Sequence, residues 1–122
     1  MKIALIGYGK MGKTRHDAIK LFNKAEVVAI SEPESINIGI RNVTYKEIIN
    51  ESEIDAVIIS TPNFLNKQLT IACLNAGKHV FCEKPLSHSV IEGRAMVNAA
   101  QSNNIIFQTG SMQRSWRNFR HA

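Results

Sequence analysis

The stretch from Met1 to Gly12 reads M-K-I-A-L-I-G-Y-G-K-M-G, and its reading decides the fold. Ile3 to Ile6 is an apolar run of the length of one buried strand. Gly7, Gly9 and Gly12 follow with the spacing G-x-G-x-x-G, and an amphipathic helical pattern opens directly after them. Strand, glycine turn and helix form the context in which this spacing marks a dinucleotide-binding turn. Gly7 turns the chain out of the strand, Gly9 leaves the main chain bare for a pyrophosphate, and Gly12 lets the helix lie close to the strand. The N–H groups of the helix's first turn and the positive end of its dipole then hold the phosphates. Tyr8, Lys10 and Met11 fill the motif and belong to the same candidate site. A glycine turn with no ligand shows the same spacing. The position of this one, at the start of an alternating strand–helix chain, favours the binding reading.

A chain of 122 residues makes one domain with a real core. At 44% hydrophobic and 20% charged residues it has the composition of a soluble globular protein. The apolar start is too short for a signal peptide and serves as a strand, and no stretch reaches membrane-spanning length. Cys73 and Cys82 stand in apolar surroundings with no C-x-x-C, which predicts buried thiols and a reducing cytoplasm. The net charge of +5 lies wholly in the second half: residues 1–60 carry eight basic and eight acidic side chains, residues 61–122 seven and two. Arg114, Arg117 and Arg120 cluster at its end. A basic surface also fits nucleic acid, an anionic small molecule or a covered interface. No nucleic-acid-binding module is present, and neither nucleic acid nor membrane is expected as a partner.

Along the chain, Lys10 to Asn23 reads as a helix with Met11, Ala18 and Phe22 near one face. Glu26 to Ile30 is a strand, residues 34–41 are ambiguous, Asn42 to Thr44 is a short strand, and Tyr45 to Asn50 is one or two helical turns. Asp55 to Ser60 is a strongly apolar strand. Asn63 to Ala76 is the clearest helix, with Leu65, Leu69, Ala72, Cys73 and Ala76 on one stripe and Gly77 after its end. Lys78 to Cys82 is a strand stopped by Pro85. Ser87 caps a helix to about Ser102, with Val90, Val97 and Ala100 on one face. Ile105 to Gln108 is the last strand, and Ser115 caps a helix from Trp116. The alternation predicts a doubly wound parallel α/β sheet. Ligands in such sheets sit beyond the carboxyl ends of the strands, where the unusual residues of this chain gather.

Glu32 follows the second strand, twenty residues after Gly12. An acid there accepts both hydroxyls of an adenosine ribose and repels a 2′-phosphate, which argues for NAD over NADP; a solvated turn glutamate is the plain alternative. Thr61, Pro62 and Asn63 end the third long strand, and Asn63 can cap the helix that follows. Ser60, Thr61 and Asn63 are placed to line a cofactor groove. Glu83-Lys84-Pro85 puts a charged pair at the same edge, where a lysine suits proton transfer or polarising a substrate oxygen. A surface ion pair explains the same residues. Gln113, Arg114 and Trp116 follow the last strand, where a guanidinium and an indole can bracket a flat ring. His16, His79, His88 and His121 show no metal-ligand spacing, so no metal site is expected.

A-G-K-H-V-F-C-E-K-P at residues 76–85, with G-Y-G-K-M-G at 7–12 and S-T-P-N at 60–63, resembles the Gfo/Idh/MocA oxidoreductases. G-S-M-Q-R-S-W-R-N-F-R at 110–120 resembles the members with a Q-R-S segment after the sixth strand. The resemblance covers the whole chain, as the family's N-terminal cofactor domain. It implies a Rossmann domain binding NAD or NADP, and hydride transfer on sugars, cyclitols or related polyols. It places Lys84 near the nicotinamide ribose and the substrate, Glu83 in the same turn, and Arg114 and Trp116 near the nicotinamide end. Glu32 stands where relatives carry an acid.

Three departures stand out. The histidine often found after T-P-N is Asn66 here, read as a tolerated change. Residues 34–42 are fewer than usual. The second domain, which in the family brings most of the substrate pocket, the catalytic histidine and the oligomer interface, is missing. The sequence is therefore read as one dinucleotide-binding domain, residues 1–122, with residues 115–122 the start of a linking helix. Its cofactor is NAD, its substrate a small polyol, its only acid–base candidate Lys84, and a homo-oligomer is expected for the full-length enzyme alone. A stand-alone dinucleotide sensor and a partner-docking module are the alternatives.

Overall fold

The structure, a computed structural model, describes residues 1–120. Six parallel strands form one sheet in the order β3-β2-β1-β4-β5-β6. They are β1 (Lys2–Ile6), β2 (Glu26–Ser31), β3 (Arg41–Asn42), β4 (Ala56–Ile59), β5 (His79–Cys82) and β6 (Phe107–Thr109). The helices are α1 (Lys10–Lys20), α2 (Tyr45–Asn50), α3 (Asn66–Asn75), α4 (Val90–Asn103) and the single turn α5 (Arg117–Arg120). The predicted Rossmann-type α/β architecture is the one observed.

Side chains of a strand alternate between faces, and here both faces carry apolar residues. Ala4, Ile6, Val57, Ile59, Val80 and Cys82 point to the face packed by Ile48 of α2, Leu69, Cys73 and Leu74 of α3, and Ala100 of α4. Ile3, Leu5 and Ile30 point to the other face, against Ile19 of α1. That second face is open over β4 to β6 among the described residues: Ala56, Ile58, Phe81 and Ile106 line an apolar trough beside α1. The register from Ile3 opposite Ala56 to Ile6 opposite Ile59 brings β1 and β4 to the same level. Gly7 and Ser60 therefore meet where the strand order reverses.

Helix faces and caps differ from expectation in several places. The inner face of α1 is Gly12, Arg15, His16 and Ile19, not Met11, Ala18 and Phe22; the helix ends at Lys20, and Phe22 is exposed. Two polar residues lie inward because each finds a partner there. On α3 the buried set is Asn66, Leu69, Thr70, Cys73 and Leu74, while Ala76 is exposed. Polar Asn66 and Thr70 belong to the inward stripe, which turns it away from Ala76. Asn63 opens a 3-10 turn, Asn63–Leu65, and caps nothing. Ser89, not Ser87, accepts from the Glu92 N–H and caps α4; Val90, just inside the cap, is exposed, and Met96 joins Ala100 in the core.

Residues 32–40, between β2 and β3, contain no helix. Asn42 closes them instead: its Oδ1 accepts from Glu32 N–H at 3.0 Å and its Nδ2 donates to the Glu32 carbonyl at 2.9 Å. Only Arg41 and Asn42 pair as β3, after which Thr44 starts α2 with a capping box to Glu47. Ser115 lies in a 3-10 turn, Met112–Ser115; Trp116 is extended, and the helical turn begins at Arg117. The predicted continuation of that helix through Ala122, and His121, lie outside the described residues.

Candidate functional site

The glycine turn is shaped by sterics at two positions and left empty at a third. Gly7 has φ +90°, and a Cβ there would stand 2.6 Å from the Ser60 carbonyl oxygen. A Cβ on Gly12 would overlap the Gly7 carbonyl oxygen. Gly9, at the N-cap of α1, has nothing within 4 Å of where a Cβ would lie. The first turn of α1 has no capping side chain and no acid, unlike α2 and α4, which both carry caps and a first-turn glutamate. Unshared N–H groups beside open space at the positive end of a helix are the arrangement that holds a phosphate. Residues and space fit a dinucleotide here. Lys10 is exposed and Met11 half-buried at this mouth.

Two hydrogen bonds that involve side chains tie the turn to its neighbours. Ser60 Oγ donates to the Gly7 carbonyl at 2.8 Å and so pins the switch point. The Tyr8 N–H donates to Glu32 Oε2 at 2.6 Å. The Tyr8 ring itself is buried with Ile3, Leu5 and Ile30, and its hydroxyl meets His16 Nδ1 at 2.6 Å. Only the backbone of Tyr8 is left to face a ligand. Burial holds the His16 ring below the usual histidine pKa, with Lys20 adding to the effect.

Two cavities flank the turn. One, of about 350 Å³, is lined by Tyr8, Gly9, Lys13, Glu32, Glu34, Ile36 and Ile38. It combines an acid, a lysine and two aliphatic walls. The other, of about 500 Å³, is lined by Met11, Glu83, Lys84 and Gly110 to Arg114. The apolar trough on the open sheet face contains none of the glycine-turn, Glu32 or Lys84 residues, so it is separate from this edge.

In the second cavity Lys84 is exposed, and among the described residues it pairs with no carboxylate. The ion pair of this turn joins Glu83 to Arg15, not to Lys84: Arg15 Nε donates to Glu83 Oε1 at 2.6 Å. Glu83 is buried, and its Oε2 occupies the space a Gly110 side chain would need. The Arg15 guanidinium carbon lies 4.9 Å from the Phe81 ring centroid. Asn66, also buried, donates Nδ2 to the Pro85 carbonyl at 2.8 Å. Arg15 is a site residue without a sequence signal of its own, and Asn66, at the position of the family's frequent histidine, makes a buried hydrogen bond and is no neutral change.

Thr61 Oγ1 reaches toward Asn66 Oδ1 at 3.5 Å; Thr61 is half-buried, and Pro62 and Asn63 are exposed. Gln113 and Arg114 line the second cavity. Trp116 does not; it stands beside Phe119, ring centroids 6.4 Å apart, and is 53% exposed. No group of three or more metal-ligating side chains occurs among the described residues. No described helix is long and apolar enough to cross a membrane.

Comparison with known proteins agrees with this geometry. Residues 1–111 match the Gfo/Idh/MocA oxidoreductase family, NAD-binding Rossmann fold. Myo-inositol 2-dehydrogenase of Thermotoga maritima is 32% identical over 130 residues, covering 98% of this chain and 39% of that enzyme. Among solved structures, an NAD-binding protein from Listeria innocua superimposes with a TM-score of 0.88 at 28% identity, over 93% of this chain and 36% of that one. Scyllo-inositol dehydrogenase from Lactobacillus casei, solved with NAD(H) and scyllo-inositol, gives a TM-score of 0.88 at 27% identity, over 99% and 39%. This chain spans 32–39% of the length of three curated relatives it matches. The chain belongs to the Gfo/Idh/MocA family, as an NAD(P)-binding Rossmann domain.

Proposed function

We propose that this chain is the cofactor-binding part of a dehydrogenase that uses NAD to oxidise a sugar, cyclitol or related polyol, or runs the reverse reduction. The observation that carries the reading is the uncapped, acid-free N-terminus of α1 beside the empty space at Gly9. Its place at the reversal of strand order, with Glu32 on one side and Lys84 on the other, supports the same reading.

The residues divide the work along the edge of the sheet. Gly7, Gly9, Gly12 and the N–H groups of Lys10 and Met11 hold the pyrophosphate. Glu32 takes the adenosine ribose, with Ile36 and Ile38 as apolar walls. Ser60, Thr61, Pro62 and Asn63 form the floor between the two ends. Glu83, Lys84 and Arg114 form the nicotinamide end. When bound, the nicotinamide supplies the hydride acceptor. Lys84 orients the alcohol and stabilises charge on its oxygen. A second domain, residues 115 onward leading into it, brings the general base, the rest of the substrate pocket and the oligomer interface. Two buried free thiols support a reducing cytoplasm as its setting.

The test is titration of the chain with NADH, followed by nicotinamide fluorescence and by calorimetry. Saturable one-to-one binding is the expected result. No binding by the folded chain at millimolar NADH overturns the reading.

A further inference from the structure

We infer that Arg15 and Asn66 are positioning residues that fix Lys84 at the nicotinamide end, an inference that rests on the function proposed above. Glu83-Lys84-Pro85 leaves β5 with both neighbours of Lys84 tied down and Lys84 itself free. On one side, the Glu83 carboxylate is held in the fork of Arg15, with Nε and a terminal nitrogen both on Oε1 at 2.6 and 2.5 Å. Arg15 is held in turn by the face of Phe81 and by its place on the inner face of α1. On the other side, Asn66 at the start of α3 donates to the Pro85 carbonyl at 2.8 Å. The two ties come from opposite layers of the sheet.

A purely stabilising role accounts poorly for this arrangement. A buried ion pair is a weak source of stability, since desolvating both charges offsets most of their attraction. Yet two elements close on the Glu83 carboxylate: Arg15 from α1, which itself lies over the Phe81 ring of β5, and Gly110 after β6, where a Cβ would stand 2.6 Å from Glu83 Oε2. An exposed lysine has a long flexible stem, so the backbone from which it springs must be set if its ammonium is to reach one place. The sequence pays for that setting with two polar side chains on inward helix faces, where apolar ones would pack.

The experiment compares NADH with ADP, which lacks the nicotinamide half, as ligands of the chain. Lys84→Ala is expected to weaken NADH by roughly tenfold and to leave ADP unchanged. Arg15→Met and Asn66→Leu should each show the same split, and in the Lys84→Ala background neither should lower NADH affinity further. Asn66→His, which restores a ring N–H donor, should recover NADH affinity. Equal losses for NADH and ADP, additive losses in the double variants, or an unaffected NADH affinity in Lys84→Ala would each overturn the inference and leave NADH binding by the native chain standing. Failure of the native chain to bind NADH overturns the functional reading itself, and the inference with it. If Arg15→Met does not fold, because Glu83 is left buried and unpaired, Asn66→Leu and its double variant decide alone.

Discussion

The backbone N–H of Tyr8 donates to Glu32 Oε2 over 2.6 Å, joining the glycine turn after β1 to the end of β2 across 24 residues. Glu32 lines the cavity that Gly9 and Lys13 also line. In the proposed role at the adenosine ribose, a fixed carboxylate would repel a 2′-phosphate. Glu32→Ala is therefore expected to lower NAD affinity by roughly ten- to a hundredfold, as for loss of hydrogen bonds to a charged acceptor. NADP should be affected less, so the gap between the two narrows. Calorimetric titration of both cofactors checks this. Equal or tighter NADP binding by the native chain would defeat the NAD preference.

Gly9 and Gly12 should respond in opposite ways. Gly9 has open space around it and an ordinary φ of −69°, so Gly9→Val is expected to fold and to lose dinucleotide binding. A Cβ on Gly12 meets main chain that cannot move aside, so Gly12→Ala is expected to cost about 3 kcal/mol or more of stability. Urea denaturation and NADH titration of the two variants separate the effects. Unchanged NADH affinity in Gly9→Val would reduce the motif to a turn.

The strand–helix alternation was legible because strand positions with apolar neighbours on both faces leave near-continuous apolar runs, as in Ile3 to Ile6. The glycine motif was legible because its sterics are local: Gly7, Gly12 and the turn between them lie within six residues. The ties around Lys84 were not. Arg15 meets Glu83 over 68 residues, and Asn66 meets Pro85 over 19. Nothing near Arg15 in sequence announces a buried carboxylate. Hydropathy reading assigns polar residues outward by default, and that rule misplaces Arg15 and His16 of α1 and Asn66 of α3, each turned inward onto a partner. The Ser60 bond was hidden for the same reason: its partner is the Gly7 carbonyl, in the turn after β1 and 53 residues away.

His16 gives stability a defined pH dependence. Its pKa is lowered in the folded state, first by burial and then by Lys20. The unfolded chain titrates it near 6.5. Below that value the unfolded state takes up the proton more readily, so this contribution is complete above about pH 6.5 and is lost as pH falls. The urea midpoint is expected to fall between pH 7 and 5. His16→Gln keeps an acceptor for the Tyr8 hydroxyl and should flatten that slope. An equal slope in the variant would assign the effect to other groups.

Cys73 and Cys82 are both buried, and burial pushes the Cys73 thiol up to about 12 and raises Cys82 as well. The nucleophile in thiol exchange is the thiolate, which neither site favours. Both thiols should resist an aromatic disulfide reagent at pH 8 in the native state and react fully in urea. Fast native-state labelling of either would contradict the packing of α3 on β5.

The chain on its own is expected to bind cofactor and to oxidise no polyol. Alcohol oxidation needs a group to take the hydroxyl proton as hydride leaves. Around the second cavity the ionisable side chains are Glu83, Lys84 and Arg114. Glu83 is held by Arg15, and an arginine stays protonated, which leaves Lys84. The described histidines lie elsewhere. His16 is buried on the Tyr8 hydroxyl, His79 Nδ1 accepts the Ile106 N–H, and the His88 N–H is bonded to Glu92 at the start of α4. Lack of a placed general base removes about two to four orders of magnitude in rate, on top of the loss of substrate orientation. The measurement is NAD reduction by the purified chain against a panel of sugars and inositols, with NADH binding confirmed in the same preparation. Background rates with intact binding are expected. Turnover well above background, lowered by Lys84→Ala, would show instead that these residues hold a complete active site.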